Sequence, residues 1–212
     1  ALHLASIQGH EAVVELLIQK GADIEAKGND GCAALHVASI QGREAVVELL
    51  MQKGADIEAK SKQGSTALHV ASKLERTAIV ELLMQKGADI EAKNKHGSTA
   101  LHLASAQGKA PVVELLIQKG ADIEAKGNDG CAALHLASMQ GEAQVVELLM
   151  QKGADIEAKS KQGSTALHVA SRQGHEAVVE LLMQKGADIE AKGNDGYTAL
   201  HLASNQGKAP IV

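Results

Sequence analysis

The sequence predicts an all-α solenoid, in which pairs of short helices stack side by side along the chain. The six residues Ala67–Ser72 (ALHVAS) return nearly unchanged every 33 residues, with no insertion or deletion. The other copies begin at Ala1, Ala34, Ala100, Ala133, Ala166 and Ala199. A fixed period of this length is typical of stacked units that cannot bury their apolar faces alone. Each period holds two helix-length apolar stripes, both too short to form stable helices in isolation.

One repeat begins at Ser160–Gly163, which has the composition of a turn in which glycine can adopt a positive φ. Thr165 then precedes a helix-forming run whose apolar face is Leu167 and Ala170. The Thr165 hydroxyl is expected to accept an unpaired backbone N–H as an N-cap. Gly174 is expected to end this helix in the left-handed conformation.

The second helix of that repeat carries the stronger apolar stripe. It ends at Gly186, and residues 187–196 then cross to the next repeat as a loop or β-hairpin finger. The residues expected to form its buried face are Val178, Val179, Leu181, Leu182 and Met183. The same stripe places Leu82 in the core of an earlier repeat.

Several motifs identify this unit as resembling the ankyrin repeat. The blocks G-x-T-x-L-H-x-A, G-x-x-x-V-V-E-L-L and G-A-D-I-E-A match that family over the whole chain. The resemblance implies an all-α ankyrin-repeat solenoid of stacked helix-turn-helix units with projecting β-hairpin or loop fingers, used as a protein-protein interaction module. The sequence departs from the motif in two places. The signature Pro is Ala throughout, and Ala33 and Ala132 replace the capping Thr, a loss expected to cost about 1 kcal/mol per site.

We predict a single ankyrin-repeat array over residues 1–212, numbered here as repeats 1 to 7. Repeat 1 (1–27) and repeat 7 (193–212) are incomplete, and the whole repeats 2 to 6 cover 28–60, 61–93, 94–126, 127–159 and 160–192. Residues 18–72 match residues 117–171 with only five differences, so blocks of three repeats have been copied together. This near-identity also resembles the homogeneous ankyrin arrays of fungal NOD-like receptors.

Repeat 3 departs from the other repeats where its first helix ends. Glu75 stands where every other copy has glycine, as at Gly42. A non-glycine residue in a left-handed cap costs about 1 kcal/mol, so an altered turn is expected. Tolerated drift is one explanation, and a local contact site formed by Leu74 and Arg76 is the alternative.

Composition argues against nucleic acid and membranes as partners. The chain has 21 Lys and Arg against 26 Asp and Glu, a net charge of −5, whereas phosphate binding needs clustered cations. It has no Phe or Trp and one Tyr, so it offers no surface for base stacking. The longest apolar runs are interrupted by a Glu, as in VVELLM, so none is expected to span a bilayer.

The two cysteines are expected to be free thiols. Cys32 and Cys131 lie three repeats apart, and stacked helices are separated by ~10 Å, so the sulfurs should be roughly 30 Å apart. A disulfide needs a far shorter separation. Free thiols favour a reducing compartment, which indicates a cytoplasmic protein, and we expect a monomer.

The histidines are the residues most suggestive of chemistry. Seven of them recur at one repeat position, namely His3, His36, His69, His102, His135, His168 and His201. Adjacent rings should be ~10 Å apart, too far to share one metal ion. We expect each ring to hydrogen-bond locally and to tie the finger to the helix.

No catalytic residue, metal site or cofactor is predicted, and the chain is not expected to be an enzyme. Every candidate Ser, His or acidic residue recurs in each repeat, whereas an active site normally occurs once, and no phosphate-binding or dinucleotide-binding loop is present. The alternating acids and lysines, such as Glu25 and Lys27, are interpreted as a solvated face with weak surface pairs at most.

Positions that differ between repeats predict where a protein partner of unknown identity binds. The changes collect at the finger tips and at the end of the first helix, which should both face the concave side. Apolar and Arg anchors among polar tips are typical of a binding hot spot. The predicted partner-binding residues are Asn29, Asp30, Cys32, Ile40, Lys62, Gln63, Lys73, Leu74, Arg76, Lys95, His96, Ala106, Asn128, Asp129, Cys131, Met139, Lys161, Gln162, Arg172 and Tyr197.

Two alternatives stay open at this point. The array could be a passive structural spacer, in which changes should spread over all exposed positions, or a consensus-designed binder. Neutral drift at the tips is disfavoured because Lys20, Glu25 and Lys27, which should be equally solvated, do not change among the copies.

Overall fold

The computed structural model describes residues 1–205, and these form thirteen α-helices joined by turns and loops. The helices are α1 (Leu2–Gln8), α2 (Glu11–Gln19), α3 (Ala34–Gln41), α4 (Glu44–Gln52), α5 (Ala67–Lys73), α6 (Thr77–Gln85), α7 (Ala100–Ala106), α8 (Ala110–Gln118), α9 (Ala133–Gln140), α10 (Ala143–Gln151), α11 (Ala166–Gln173), α12 (Glu176–Gln184) and α13 (Ala199–Asn205). The predicted all-α class is confirmed. The fingers are loops, and no strand is present in the described part of the chain. The last seven residues of predicted repeat 7 lie outside that part.

The chain divides into two compact units, residues 1–95 and 96–212. In the first unit the first helices α1, α3 and α5 pack on one another, and the second helices α2, α4 and α6 form a layer beside them. In the second unit α7, α9, α11 and α13 form the layer of first helices, and α8, α10 and α12 form the layer of second helices. Each of these layers buries an apolar face that a single repeat could not cover, as expected for a repeat protein. The prediction of one array over the whole chain stays a prediction.

The first helices form and end as their sequence predicts. In α11, Leu167 and Ala170 are both buried. Gly174 follows with a φ of 82°, the left-handed conformation that closes a helix without a Cβ clash. A short, alanine-rich helix with two small buried positions lets neighbouring first helices approach closely.

The second helices bury a narrower stripe than the sequence predicts. In α12, Val178, Val179 and Leu182 are buried, whereas Leu181 is half-buried and Met183 is 46% exposed. The stripe turns by about 100° per residue, so the run from Val178 to Met183 cannot all face one side. The same geometry corrects the assignment of Leu82, which is half-buried, because its neighbour Leu83 is the fully buried residue.

The expected altered turn in repeat 3 is wrong. Glu75 has a φ of 58° and is the only non-glycine residue with a positive φ among residues 1–205. The next N–H, that of Arg76, still donates to the Ala71 carbonyl at 2.9 Å, as the Arg43 N–H does to Ala38 in repeat 2. Repeat 3 therefore keeps the common turn and bears the strain of placing a side chain in it.

Candidate functional site

In five repeats a histidine links the first helix to the finger of the following repeat. In repeat 2 the Nδ1 atom of His36 accepts the backbone N–H of Ala33 at 3.3 Å. Because Nδ1 is an acceptor, the ring proton is on Nε2, which donates to the Ser65 carbonyl oxygen at 2.9 Å. The same tautomer is assigned to His135, which accepts from Ala132 and donates to Ser164.

The predicted local tie is confirmed, and it extends one repeat further than the sequence indicated. His3, His102 and His168 place Nε2 at 2.8, 3.0 and 3.2 Å from carbonyl oxygens that lie 29 residues ahead, in the next finger. Burial lowers the pKa of His36 and of His135, because desolvation disfavours the charged ring. These rings are therefore structural hydrogen-bonding groups.

The threonine caps work differently from the prediction. The Thr165 hydroxyl oxygen lies 2.8 Å from Nδ1 of His168, the same atom that accepts the Thr165 backbone N–H. The hydroxyl therefore bonds to the imidazole rather than to an unpaired backbone N–H at the start of α11. At Ala33 and Ala132 this contact is lost and the N–H to imidazole bond remains. The cost assigned to these two alanines stays a prediction.

Neighbouring finger tips are joined by one backbone hydrogen bond. The N–H of Lys62 donates to the Asp30 carbonyl at 2.9 Å, and that of Lys161 donates to Asp129 at the same distance. A Cβ built on Gly31, whose φ is 77°, would lie only 2.5 Å from the Lys62 nitrogen. The tip glycine is therefore required both by its left-handed backbone and by the close approach of the next finger.

Within each tip, one side chain accepts a backbone N–H of the same tip, and this side chain differs between the two tip sequences. In the GNDG tips, the Asp30 carboxylate accepts the Cys32 N–H at 2.9 Å, which also lowers the pKa of Asp30. In the SKQG tips, the Ser61 hydroxyl accepts the Ser65 N–H at 3.2 Å. Part of the variation between tips is therefore an exchange of one closing hydrogen bond for another.

The acidic and basic ladder at the finger base is a set of links between repeats, which corrects its interpretation as a merely solvated face. The Glu25 carboxylate accepts the Asp56 N–H at 2.9 Å, and the ammonium group of Lys27 donates to the Lys60 carbonyl at 2.9 Å. Equivalent bonds join Glu124 to Asp155 and Lys126 to Lys159. The lysines are exposed and the glutamates half-buried, and each side chain bonds to the backbone of the next repeat.

Lysines at the end of the second helix also have structural partners. Lys53, which occupies the same repeat position as Lys20, forms an ion pair with Glu15 at 2.8 Å, and Lys152 forms one with Glu114 at 3.2 Å. The constancy of Lys20, Glu25 and Lys27 speaks against neutral drift only if these positions have no structural role. Because these three repeat positions hold neighbouring repeats together, their constancy has a structural cause and the comparison no longer disfavours drift.

The residue just before a second helix bonds to the end of the first helix of the preceding repeat. The Nε atom of Arg43 donates to the Ile7 carbonyl at 3.0 Å, and that of Arg76 donates to the Ile40 carbonyl at 3.2 Å. In repeat 6, Nε2 of His175 lies 2.9 Å from the Met139 carbonyl oxygen. Arg76 therefore has a structural contact of the same kind as Arg43, whether or not it also contacts a partner.

The predicted partner-binding residues differ in their exposure. Fifteen are exposed, namely Asn29, Asp30, Lys62, Gln63, Lys73, Leu74, Arg76, Lys95, His96, Asn128, Asp129, Lys161, Gln162, Arg172 and Tyr197. Ile40, Ala106 and Met139 are half-buried. Cys32 and Cys131 are buried, so their side chains offer a partner almost no surface.

Both cysteines are free thiols, as predicted. Burial is the main cause that raises the pKa of Cys32 to about 11 and that of Cys131 to about 12. A protonated, buried thiol is a small apolar group in packing terms and a poor nucleophile. The two cysteines therefore belong to the base of the finger and are removed from the candidate surface, whereas Tyr197 at the same repeat position is exposed.

Two open grooves lie on the opposite side of the repeats, between second helices. One of about 320 Å³ lies between α8 and α10 and includes Glu114 and Gln151. Another, of about 230 Å³, includes Met51, Gln52 and Lys86. Sequence reasoning did not find these grooves, although the larger one includes Ala110, Pro111 and Gln144, which stand at positions that change between repeats.

No group of three or more His, Cys, Asp or Glu side chains within residues 1–205 is arranged to hold a metal ion. In the same range no helix has both the length and the apolar character needed to cross a bilayer.

Helix pairs stack on one another, and hydrogen bonds between finger tips, from histidines and from lysines join successive pairs. These features define a helical repeat protein. The family model for ankyrin repeats, which covers three copies at a time, matches residues 1–61, 58–127, 92–160 and 134–212. The chain belongs to the ankyrin repeat family, whose repeats are non-catalytic scaffolds that mediate protein-protein interactions. A search of curated proteins gave no match.

Solved structures agree with this assignment. The ankyrin repeat domain of Bcl-3, described as a unique member of the IkappaB protein family, is 34% identical, with a TM-score of 0.83. The match covers 99% of this chain and 96% of the other. The human ASB11 ankyrin repeat domain is 25% identical, with a TM-score of 0.87, over 100% of this chain and 96% of the other. The predicted ankyrin-repeat fold is thereby confirmed.

Proposed function

We propose that this chain is a protein-recognition module whose partner binds the concave face, formed by the finger tips and by the ends of the first helices. The observation that carries this proposal is a difference in contacts between constant and variable residues at the surface. The constant, exposed Lys27 and Lys126 donate to carbonyl groups of the next repeat. Lys73 and Arg172 are exposed and variable, and their side chains bond to no described residue, unlike Arg43 and Arg76, whose position also varies.

Shape and chemistry favour the same face. The fingers are rigidly spaced by backbone hydrogen bonds, so their tips present side chains on a preorganised support, which reduces the entropy cost of binding. Half-buried Ile40 and Met139 lie beside the exposed cations Lys73 and Arg172 of the following first helices. Apolar residues flanked by Arg and Lys are the usual composition of a binding hot spot.

The grooves between second helices support a competing position for the partner. A photoreactive amino acid placed at Gln63 or Gln162 would probe the finger tips, and the same residue at Gln52 or Gln151 would probe the second helices. All four are exposed glutamines, so the substitutions are matched in size and polarity. Each variant would be irradiated in extract from the source cells, with and without an excess of the unmodified chain.

We expect saturable crosslinks to a protein from Gln63 and Gln162 and none from Gln52 and Gln151. Crosslinks from the second-helix positions alone would overturn the proposed face. Once a partner is identified, replacing a single anchor such as Arg172 by Ala should weaken binding by about 1–3 kcal/mol without a change in folding. The passive-spacer alternative predicts no saturable crosslink from any position.

A further inference from the structure

The concave face carries cations that the fold does not use. Several basic side chains hold neighbouring repeats together, as Lys27 of repeat 1 and Lys53 and Arg43 of repeat 2 do. Lys62 and Lys73 in repeat 3 form no side-chain hydrogen bond or ion pair with any described residue. The same holds in repeat 6 for Lys161 and Arg172, and all four side chains are exposed.

These four cations form two equivalent sets. Lys62 and Lys161 occupy the same finger position, and Lys73 and Arg172 occupy the same position at the end of the first helix. Each set lies within one compact unit, so each can be treated separately. Lys62 and Lys161 lie within the matching blocks 18–72 and 117–171. Lys73 and Arg172 lie one residue beyond these blocks, and there the two sets differ.

An apolar residue lies next to each helix-end cation. Arg76 bonds the Ile40 carbonyl, so the end of α3, with half-buried Ile40, lies beside the end of α5 and Lys73. His175 bonds the Met139 carbonyl in the same way, which places half-buried Met139 beside the end of α11 and Arg172. Each compact unit therefore presents an apolar patch bordered by an unpaired cation.

The finger belongs to the same face in the second unit. The positive charge of Arg172 acts against the rise in the pKa of Cys131, which lies at the base of the finger of repeat 5. That finger carries Asp129, whose carboxylate already accepts the Cys131 N–H. A carboxylate of the partner would be repelled by Asp129 and attracted by Lys161 and Arg172 of repeat 6. The charges therefore favour one position of the partner along the repeats.

We propose that each compact unit binds a peptide segment in which acidic residues alternate with an apolar residue, one segment at Ile40, Lys62 and Lys73 and a second at Met139, Lys161 and Arg172. The inference rests on the proposed use of the concave face and names the chemistry of its partner. The apolar side chain covers Ile40 or Met139, and the carboxylates lie against the cations of the next repeat.

The two segments should bind with different strength. Glu75 places a negative charge two residues after Lys73, whereas the equivalent residue in repeat 6 is Gly174. Arg172 can also hold a carboxylate through two parallel N–H donors, which a lysine cannot do. The segment at repeat 6 is therefore the tighter of the two.

The test is a titration of the whole chain with a fluorescent peptide made of repeated Glu-Glu-Leu, with the matching Gln-Gln-Leu peptide as a neutral probe. We expect two acidic peptides per chain, binding that weakens as salt is added, and much weaker binding of the neutral peptide. Lys73→Glu and Arg172→Glu should each remove one site, lowering its affinity by about fivefold or more, with the larger loss for Arg172→Glu.

Matched controls reverse a cation of the same repeats on the other side of the molecule. Lys86→Glu and Lys185→Glu change exposed lysines that follow the second helices and that, unlike Lys53 and Lys152, form no ion pair with a described residue. They should leave both affinities within about twofold. Equal losses from these controls would overturn the inference, because the attraction would then be unspecific. A stoichiometry of one, or an unchanged affinity in both concave-face variants, would also overturn it.

The design separates this inference from the proposed function. If both peptides bind equally, and Ile40→Ala and Met139→Ala weaken both, the preference for acidic segments is wrong while the concave face remains in use. If no substitution on the concave face changes the binding of either peptide, and the crosslinks come from Gln52 and Gln151, both proposals are wrong.

Discussion

Repeats 2 and 3 lie side by side in the first compact unit and differ most at the end of their first helices. Repeat 2 ends α3 with Gly42 at a φ of 73°, and repeat 3 reaches nearly the same conformation with Glu75 at 58°. In both repeats an arginine follows and bonds the preceding helix end, through Arg43 or Arg76. The contacts between repeats therefore determine the turn, and the local sequence only sets how much strain it carries.

The strongest test of this equivalence is in the core. Leu50→Ala and Leu83→Ala remove fully buried side chains from the same position of the two repeats, and each should cost about 2–5 kcal/mol of unfolding free energy. Half-buried Leu82→Ala should cost clearly less than Leu83→Ala. Urea unfolding measures all three. A cost for Leu83→Ala well below that for Leu50→Ala would mean that the two repeats are packed differently.

Acid should weaken the stack through the buried histidines. The folded-state pKa of His36 is below its unfolded value, because burial disfavours the charged ring. Its contribution is therefore fully present above about pH 6.5 and is lost as the pH falls through the lower folded-state value. Unfolding temperatures recorded from about pH 7.5 down to about pH 5 should fall, and less steeply for His36→Gln. The exposed His10→Gln is the control, and an equal change in slope for both variants would contradict the assignment.

The strained turn of repeat 3 can be relaxed directly. Glu75→Gly should raise the unfolding free energy by about 1 kcal/mol, because glycine adopts the left-handed conformation without strain. Gly42→Ala should lower it by a similar amount in repeat 2, since a Cβ there meets Arg76 only at ordinary contact distance, 3.4 Å, and the backbone conformation is the main cost. Chemical denaturation at constant slope would record both changes. Destabilisation by Glu75→Gly would show that the glutamate is held there by a favourable contact.

The smallest expected difference concerns one hydroxyl. Ser39 in repeat 2 donates to the Leu35 carbonyl at 2.7 Å, whereas the buried Ser72 hydroxyl in repeat 3 has no hydrogen-bond partner among the described residues. Ser72→Ala should therefore be more favourable than Ser39→Ala by about 1 kcal/mol. Identical effects in paired unfolding curves would mean that both hydroxyls use the carbonyl one turn earlier.

The sequence predicted the fold well because the period, the turn glycines and the apolar stripes are all local signals. It located Gly174 as a helix end and Leu167 and Ala170 as buried residues, and the structure confirms these. It placed Leu82 and Met183 too deeply, since five apolar residues interrupted by one glutamate do not reveal which side of the helix faces the neighbouring repeat.

The candidate surface was less predictable because it depends on bonds between repeats. Glu25 and Lys27 resemble idle surface residues in the sequence, and only the structure shows their bonds to the next finger. Cys32 varies like a contact residue but is buried. One weak signal could have revealed the structural role of Cys32. The tip sequence GNDG is always followed by Cys or Tyr, whereas SKQG is followed by Ser.

Most of the links that hold the repeats in register are made to the polypeptide backbone. The ring of His36, the ammonium group of Lys27 and the carboxylate of Glu25 all bond to carbonyl or N–H groups of the next repeat. Any repeat of the same length supplies those groups, whatever its side chains. A gene encoding such a chain can gain, lose or exchange whole repeats by recombination without redesigning an interface, which allows the variable positions to diversify rapidly on an unchanged frame.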